Sequence, residues 1–246
     1  MSKFLGLKLD LLTMEETISK CEQLIRERNK QHVVLNAAKV VAAIEKPELA
    51  EIINRCDLVN ADGMAVVWAA RALGLPVPER VSGIDLMERI VDLSASKGYS
   101  IYLLGAEQRI LEATQEIFIS RGAKVVGARN GYWSFPEESK VVATIASLQP
   151  DILFLAVPSP KKEIFLSQHL TRLNTGLVFG VGGSFDVVAG LTKRAPAIFQ
   201  RLGLEWAFRL AQEPRRMFKR YLVGNSKFVL IVTKAVITRF ILKEKN

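Results

Sequence analysis

The stretch Asp151-Ile152-Leu153-Phe154-Leu155-Ala156-Val157 decides the fold class. Six apolar residues follow one another without alternation, which is typical of a strand that is covered on both faces in a parallel sheet. The next residues, Pro158-Ser159-Pro160, form a turn and a helix start, since serine is a good N-cap and proline fits the first helical position. The stretch therefore predicts a buried strand that leads into a helix over residues 161–173.

Working outward, the same alternation of strand and helix covers the first 192 residues. Short apolar runs predict further strands at residues 32–36, 57–60, 100–104, 124–127 and 176–181. Between them, helical patterns cover residues 14–28, 39–54, 84–97, 108–121, 137–148 and 161–173. This order predicts an α/β fold with a mainly parallel sheet and helices on both faces. In such folds ligands bind at the carboxyl ends of the strands.

Composition excludes several classes of protein. The chain has 246 residues, 49% of them apolar and 24% charged, which is enough for one large domain or a domain with an appendage. The two cysteines and two histidines exclude a disulfide framework, a four-cysteine zinc site and a histidine-rich metal site. We see no leader-like apolar segment near residue 1 and no apolar run of 18 residues, so we expect no spanning helix.

The charge divides the chain into two parts, which we predict to be a catalytic body at residues 1–192 and a basic helical appendage at residues 193–246. The appendage holds 13 Lys and Arg against three Asp and Glu and so carries +10, whereas the body carries −1, for the net charge of +9. Such asymmetry indicates a polyanionic partner, either nucleic acid, a membrane surface or a phosphorylated lipid. No nucleic-acid motif accompanies the charge, so we expect a membrane rather than nucleic acid.

The appendage itself predicts three helical segments. The first covers residues 196–212, the second starts at Pro214 and ends at Gly224-Asn225, and the third covers residues 227–245. The third has a broad apolar face interrupted by Lys234 and Arg239. That face can lie on a bilayer, with basic residues against lipid phosphates, or it can pack on the body or on a second subunit.

Asp62 is the first candidate for a catalytic residue. It directly follows the predicted strand at 57–60, in Asn60-Ala61-Asp62-Gly63. A carboxylate at a strand's carboxyl end can take a proton from an attacking hydroxyl. The alternative is that Asp62 caps the following helix.

Asn36 and Arg80 are placed in the same way. Asn36 ends the first core strand, where an amide can bind a sugar hydroxyl or an acetamido group, or can simply close a turn. Arg80 precedes the helix at residue 84. Its guanidinium can grip a diphosphate through two parallel hydrogen bonds, or it can pair with Glu79 or Asp85 on the surface.

Glycine-rich turns follow two strands. Gly105 ends the strand at 100–104 and permits a close approach of the backbone to an anion at a helix N-terminus. The stretch Gly180-Val181-Gly182-Gly183-Ser184-Phe185-Asp186 has phenylalanine where a dinucleotide fingerprint has its third glycine, which argues against an oxidoreductase that uses a nucleotide cofactor. Lys161 and Lys162 fall in the first turn of a helix, which is unfavourable unless an anion lies nearby or both are solvated.

Taken together, these stretches resemble the WecG/TagA/CpsF family of bacterial glycosyltransferases over nearly the whole chain. The match is carried by nine stretches in the expected order, at residues 34–40, 60–63, 79–86, 101–105, 131–132, 160–163, 180–187, 193–196 and 202–206.

The resemblance implies a Rossmann-like body and a transfer, with inversion, of a hexose-type sugar from a UDP-sugar. The sugar would be N-acetylmannosamine, its uronic acid or one of the glucose class. The acceptor would be linked to undecaprenyl diphosphate, at the cytoplasmic face of the membrane, in the synthesis of surface polysaccharide. The resemblance implies no metal or other cofactor. A homo-oligomer through apolar appendage residues stays open.

The resemblance also assigns residues. It implies that Asp62 is the general base and that Arg80 assists catalysis. The substrate-binding positions that match the family, or that surround the predicted cleft, are Asn36, Gly105, Lys162, Glu163, Gly182, Gly183, Asp186, Arg209, Arg216, Lys219 and Arg220. The appendage arginines would close over the diphosphate as a lid.

Two positions depart from the pattern of the family. Val34 stands where some members have threonine, and Lys162 where many have glutamine. The extra positive charge of Lys162 can recognise a donor sugar that carries a carboxylate, or it can pair with Glu163 or with the diphosphate. Two other readings remain: a membrane-docking protein without catalysis, and the oxidoreductase named above.

Overall fold

The computed structural model describes residues 2–212 and 214–243, without the side chains of residues 197, 201, 215–217, 219–223, 240, 242 and 243. The strands are β1 (Lys3–Phe4), β2 (Leu7–Lys8), β3 (Lys30–Leu35), β4 (Leu58–Ala61), β5 (Ser100–Gly105), β6 (Lys124–Arg129), β7 (Ile152–Ala156) and β8 (Leu177–Gly180).

The helices alternate with these strands along the body and then continue alone. They are α1 (Met14–Glu27), α2 (Ala37–Glu45), α3 (Pro47–Arg55), α4 (Met64–Ala72), α5 (Gly83–Lys97), α6 (Gln108–Ser120), α7 (Phe135–Leu148), α8 (Lys161–Leu173), α9 (Ser184–Val188), α10 (Ala197–Arg201), α11 (Glu205–Gln212) and α12 (Pro214–Lys243).

The central sheet has six strands in the order β4-β3-β8-β7-β5-β6, and every pair in it is parallel. Helices cover both of its faces, so the predicted Rossmann-like α/β fold is confirmed. Strand β7 is fully buried, as its unbroken apolar sequence predicts. The short β1–β2 hairpin forms a separate antiparallel pair.

The predicted helix at residues 39–54 is wrong as a single element. The structure has two helices, α2 and α3, because Lys46 between them has extended backbone angles and Pro47 starts a new helix. Proline lacks the amide hydrogen that would continue the ladder of α2, and its ring suits a first helical position.

The appendage also differs from its prediction at two points. The segment at 196–212 is split into α10 and α11 by a turn at Gly203, whose φ is +68°. The predicted break at Gly224-Asn225 is wrong, because α12 runs through both residues. A glycine inside a helix costs only about 1 kcal/mol, which packing of the helix on the body can offset.

Helix α12 packs along α2 of the body. Phe228 is buried in the core cluster that α2, α3 and α4 share with the sheet, and Ile231 and Val232 pack against it. Lys227 pairs with Glu45 at the end of α2. One face of α12 therefore packs on the body, which is one of the alternatives that the sequence left open for this helix.

A second face of α12 is exposed and apolar. It presents Val229, Leu230, Ile237 and Ile241, each more than half exposed. None of the helices in the described part of the chain combines the length and the hydropathy needed to cross a bilayer.

Candidate active site

The end of strand β4 and the end of strand β3 lie side by side. The register pairs Leu35 with Ala61, and the amide of Asp62 donates to the carbonyl of Leu35 at 2.8 Å. The loop before α5 continues this edge, since the amide of Val81 donates to the carbonyl of Ala61 at 2.9 Å. Asp62 and Arg80 are thereby brought to one place from different parts of the chain.

Asp62 does not cap the helix that follows it. The N-cap of α4 is Gly63, with a φ of +100° that favours glycine, and no side chain bonds to the first turn. Asp62 is partly buried at the carboxyl edge of the sheet. Burial and the negative charge of Glu205 raise the pKa of Asp62 to about 6, against the lowering effect of Arg80, Arg209 and Lys39. A carboxyl with such a pKa is suited to accept a proton near neutral pH.

Asn36 caps helix α2. Its side-chain oxygen accepts a hydrogen bond from the backbone amide of Lys39 at 3.0 Å. This confirms the structural alternative for Asn36, and its contact with a sugar stays a prediction.

Arg80 is held by carboxylates from both parts of the chain. Its Nη1 donates to Glu205 Oε2 at 2.8 Å, and its Nη2 lies 3.6 Å from Asp85 Oδ2. Arg209 Nη2 lies 3.6 Å from the other oxygen of Glu205. The ion pair with Asp85 agrees with the surface-pair alternative, but the guanidinium is largely buried, and its charge lowers the pKa of Asp62.

Arg209 is the one appendage residue of the predicted set whose side chain the structure describes at this site. The side chains of Arg216, Lys219 and Arg220 lie outside the described residues, so their predicted contact with a diphosphate stays a prediction.

A buried cluster of charges lies in the first turns of helices α2 and α8, which follow strands β3 and β7. Lys39 Nζ donates to Glu163 Oε1 at 2.8 Å, and Lys162 Nζ lies 3.9 Å from the same oxygen. Glu163 Oε2 is buried and has no hydrogen-bond partner. Burial raises the pKa of Glu163, but the charges of Lys39 and Lys162 outweigh it and the pKa lies below its usual value.

The glycines of β8 make room for Lys162. A methyl group on Gly180 would lie 2.9 Å from Lys162 Cε, and one on Gly182 would lie 3.9 Å from its ammonium. Gly182 has a φ of +55°, and a methyl group on Gly183 would meet Asp186 Oδ2 at 3.2 Å. The Lys162 ammonium is therefore aimed at the turn that follows β8.

Gly105 lies apart from this group. Its φ is +124°, and a methyl group there would meet the carbonyl oxygen of Ala156 at 2.4 Å, so only glycine fits. Four strand spacings, roughly 19 Å, separate its strand from that of Asp62. Only an extended ligand can contact both Asp62 and Gly105 along this edge of the sheet.

Comparison with known proteins identifies the family. A family model described as "Glycosyl transferase WecG/TagA/CpsF family" matches residues 2–241. The chain belongs to the WecG/TagA/CpsF glycosyltransferase family.

Two curated relatives in this family carry the same name, N-acetylglucosaminyldiphosphoundecaprenol N-acetyl-beta-D-mannosaminyltransferase. The one from Bacillus spizizenii is 30% identical over 234 residues, which cover 92% of this chain and 89% of the relative. The one from Staphylococcus aureus is 30% identical over 216 residues, which cover 87% and 85%.

Sequence reasoning about this WecG/TagA/CpsF protein missed two charged residues of the site. Lys39 and Glu205 belong to stretches that resemble the family, but the sequence does not single them out; in the structure the charges of both act on Asp62. Nothing local marks them, since Lys39 pairs with a residue 124 positions away and Glu205 with one 125 positions away.

Tyr132 is a further residue that the sequence marks only within a motif. The amide of Gly131 donates to the carbonyl of Ala106 at 2.9 Å, which places this loop next to Gly105. The ring of Tyr132 is 69% exposed.

Within residues 2–212 and 214–243, no group of three or more His, Cys, Asp and Glu side chains lies close enough together to hold a metal ion. His32 is buried, and its Nε2 donates a hydrogen bond to Asn60 Oδ1 at 3.1 Å. Burial, together with the nearby charges of Lys39 and Lys162, lowers the pKa of His32 to about 3, although the hydrogen bond to Asn60 acts in the opposite direction. Independence from a metal stays a prediction.

Proposed function

We propose that this protein transfers a sugar from a UDP-sugar to an acceptor linked to undecaprenyl diphosphate, with inversion at the anomeric carbon. The donor sugar is of the N-acetylmannosamine class, including its uronic acid. The names of the two relatives support both the sugar and the acceptor. A glucose-class donor remains an outcome of the test below.

The observation that carries this proposal is Asp62 at the carboxyl edge with guanidiniums beside it. Its raised pKa makes it a proton acceptor near neutral pH, and Arg80 and Arg209 bring positive charge to the same place. In the reaction the acceptor hydroxyl gives its proton to Asp62 as its oxygen attacks the anomeric carbon. The bond to the donor phosphate breaks, and the electron pair leaves with UDP.

The guanidiniums would lower the barrier by offsetting charge on the departing diphosphate. Planar guanidiniums bind phosphate oxygens through two hydrogen bonds, and fixed charges aimed at developing charge stabilise a transition state. Lys162 beside the glycine turn would add to this field or bind a carboxylate on the donor sugar.

One base and one displacement imply inversion. A retaining route through a covalent glycosyl-enzyme would require a nucleophile in addition to the base. The site supplies the elements of a single displacement, namely a carboxylate base and cationic groups for the leaving diphosphate.

The exposed face of α12 supports the membrane part of the proposal. Leu230 and Ile237 are more than half exposed, and Lys234 on the same helix is exposed as well. Exposed apolar side chains with a basic residue among them suit binding to an anionic bilayer. The appendage also contributes Glu205 and Arg209 to the site, so contact with the membrane and with the acceptor would occur together.

The experiment is a donor panel on the full chain. UDP-N-acetylmannosamine, its uronic acid, UDP-N-acetylglucosamine and UDP-glucose are each incubated with N-acetylglucosaminyl-diphosphoundecaprenol in anionic vesicles, and released UDP and lipid-linked product are measured. We expect acceptor-dependent release with one donor, and product of inverted configuration by NMR. Vesicle binding without turnover of any donor would favour a docking protein, and NAD(P) binding would favour an oxidoreductase; either would reject the proposal.

A further inference from the structure

Glu205 lies between the two guanidiniums of the site. It is the first residue of α11, and its two carboxylate oxygens face different arginines, Arg80 at 2.8 Å and Arg209 at 3.6 Å. The side chain of Arg80 is 13% exposed and that of Glu205 is 21% exposed. One carboxylate therefore gathers two cations that come from the body and from the appendage.

Arg80 is fixed from its other side as well. Asp85 Oδ2 lies 3.6 Å from Arg80, and Asp85 also pairs with Arg194 of the appendage. Gln200 accepts a hydrogen bond from Arg194 at 3.2 Å and lies 3.4 Å from Arg80. The position of the Arg80 guanidinium thus depends on the appendage, through Glu205.

The same groups surround Asp62. The pKa of its carboxyl is shifted by the charges of Glu205 and Arg209 from α11, of Arg80 from the loop before α5, and of Lys39 from α2. Glu205 is the one acidic group in this set, and it opposes ionisation of Asp62.

A carboxylate in this place has no evident use as a phosphate ligand, because like charges repel. Two explanations remain. Glu205 either attaches the appendage to the body, as Lys227 does through Glu45, or it holds the two arginines in a working arrangement.

We propose that Glu205 is a positioning residue, which holds the guanidiniums of Arg80 and Arg209 beside Asp62 until the diphosphate takes them over. This inference rests on the proposed function. It differs from simple attachment because it requires Glu205 to affect the chemistry at Asp62, whereas an attachment elsewhere on the appendage has no such effect.

The test compares Glu205→Gln with the wild type by pH–rate profiles on the full chain with vesicle-borne acceptor. We expect kcat to fall about 10- to 100-fold, because misplaced catalytic groups lose that much, with KM little changed. We also expect the acidic limb of the pH–rate profile to move to higher pH, because release of two guanidiniums together with loss of one carboxylate leaves one positive charge fewer beside Asp62. Glu205→Asp keeps the charge and should keep the acidic limb near its wild-type position.

The matched control is Glu45→Gln, which removes a different ion pair between the appendage and the body, that of Glu45 with Lys227, and does not touch the site. We expect its profile to overlay the wild type. If Glu45→Gln shifts kcat and the limb as Glu205→Gln does, or if Glu205→Gln leaves both unchanged, the positioning role is wrong.

A measurement that does not depend on turnover separates failure of the positioning role from failure of the proposed function. The side-chain carbon signals of Asp, with the Asp62 signal assigned through Asp62→Asn, can be titrated by NMR in the wild type and in Glu205→Gln. An upward shift of the Asp62 midpoint only in Glu205→Gln supports the positioning role even if the proposed donors are wrong. A downward shift, which loss of the Glu205 charge produces when the arginines stay in place, or an unchanged midpoint rejects the positioning role, while the wild-type transfer assay still decides the proposed function.

Discussion

The ammonium of Lys39 donates a hydrogen bond to the carboxylate of Glu163 at 2.8 Å, with both side chains almost fully buried. The pair joins the first turn of α2 to the first turn of α8 at the carboxyl edge of the sheet. Buried charges are tolerated when paired, and removal of one partner leaves the other uncompensated.

We therefore expect Glu163→Gln to lower the free energy of unfolding by about 3–5 kcal/mol, as measured by urea titration at pH 7. The control is Glu51→Gln, which breaks the exposed pair of Glu51 with Arg55 on α3 and should cost less than about 1 kcal/mol. Equal losses in the two variants would show that the buried pair contributes no more than a surface one.

The role of Asp62 as base predicts a large loss of activity without loss of donor binding. Asp62→Asn should reduce transfer about 10²- to 10⁴-fold, since that is the usual contribution of a general base, while the Kd for UDP changes little. Wild-type kcat/KM should fall as pH decreases through about 6, where Asp62 becomes protonated. Unchanged turnover in Asp62→Asn would remove Asp62 from the chemistry.

Because its pKa is raised in the folded state, ionised Asp62 destabilises the folded protein at neutral pH. A carboxyl whose pKa is higher in the folded state than in the unfolded state favours folding at low pH, and this contribution is lost as pH rises from about 4 through about 6. We expect Asp62→Asn to stabilise the protein at pH 7 by about 1–3 kcal/mol, after allowance for solvent screening of a partly exposed group. In urea unfolding this gain should shrink below pH 4; a gain of the same size at both pH values would contradict the linkage.

Two glycines should respond to alanine in opposite ways. At Gly105 the added methyl group meets the backbone of Ala156 and the φ of +124° is strained, so we expect a loss of about 1–3 kcal/mol. At Gly224, inside α12, nothing lies within 4 Å, and alanine should stabilise by up to about 1 kcal/mol. Thermal unfolding of both variants checks this, and destabilisation by Gly224→Ala would argue against a continuous α12.

The exposed face of α12 predicts a specific loss of membrane binding. The double change Leu230→Ser and Ile237→Ser should weaken sedimentation with anionic vesicles at least tenfold, because it removes two apolar contacts with the bilayer. Ile119→Ser, on α6, changes a side chain of similar exposure in the body and serves as the control. If both proteins lose binding alike, or neither does, α12 is not the membrane-binding face.

Much of the fold could be predicted from local patterns. Unbroken apolar runs such as residues 152–156 can be stable only inside a sheet covered on both faces, and the intervening amphipathic helices supply that cover. The same reasoning places Asn36, Asp62 and Gly105 after strands, where a parallel sheet exposes its carboxyl edge. Resemblance to the family then suggested their roles.

Helix boundaries in the appendage could not be predicted in this way. Gly224-Asn225 has the local chemistry of a helix end, yet α12 continues because Phe228 is buried against the body a few residues later. Local propensities differ by about 1 kcal/mol, and burial of one aromatic side chain is worth more than that.

The sequence by itself determined the parallel α/β body, the basic appendage and the position of Asp62 at a strand end, because each depends on residues close together in the chain. Only the tertiary structure decided which charges meet there. Lys39 reaches Glu163 because the strand order places β3 next to β8 and β8 next to β7, and Glu205 reaches Arg80 because the appendage folds back over the β4 end of the sheet. Charges this far apart in sequence leave no periodic signal, since their energy depends on distance and burial in the folded chain.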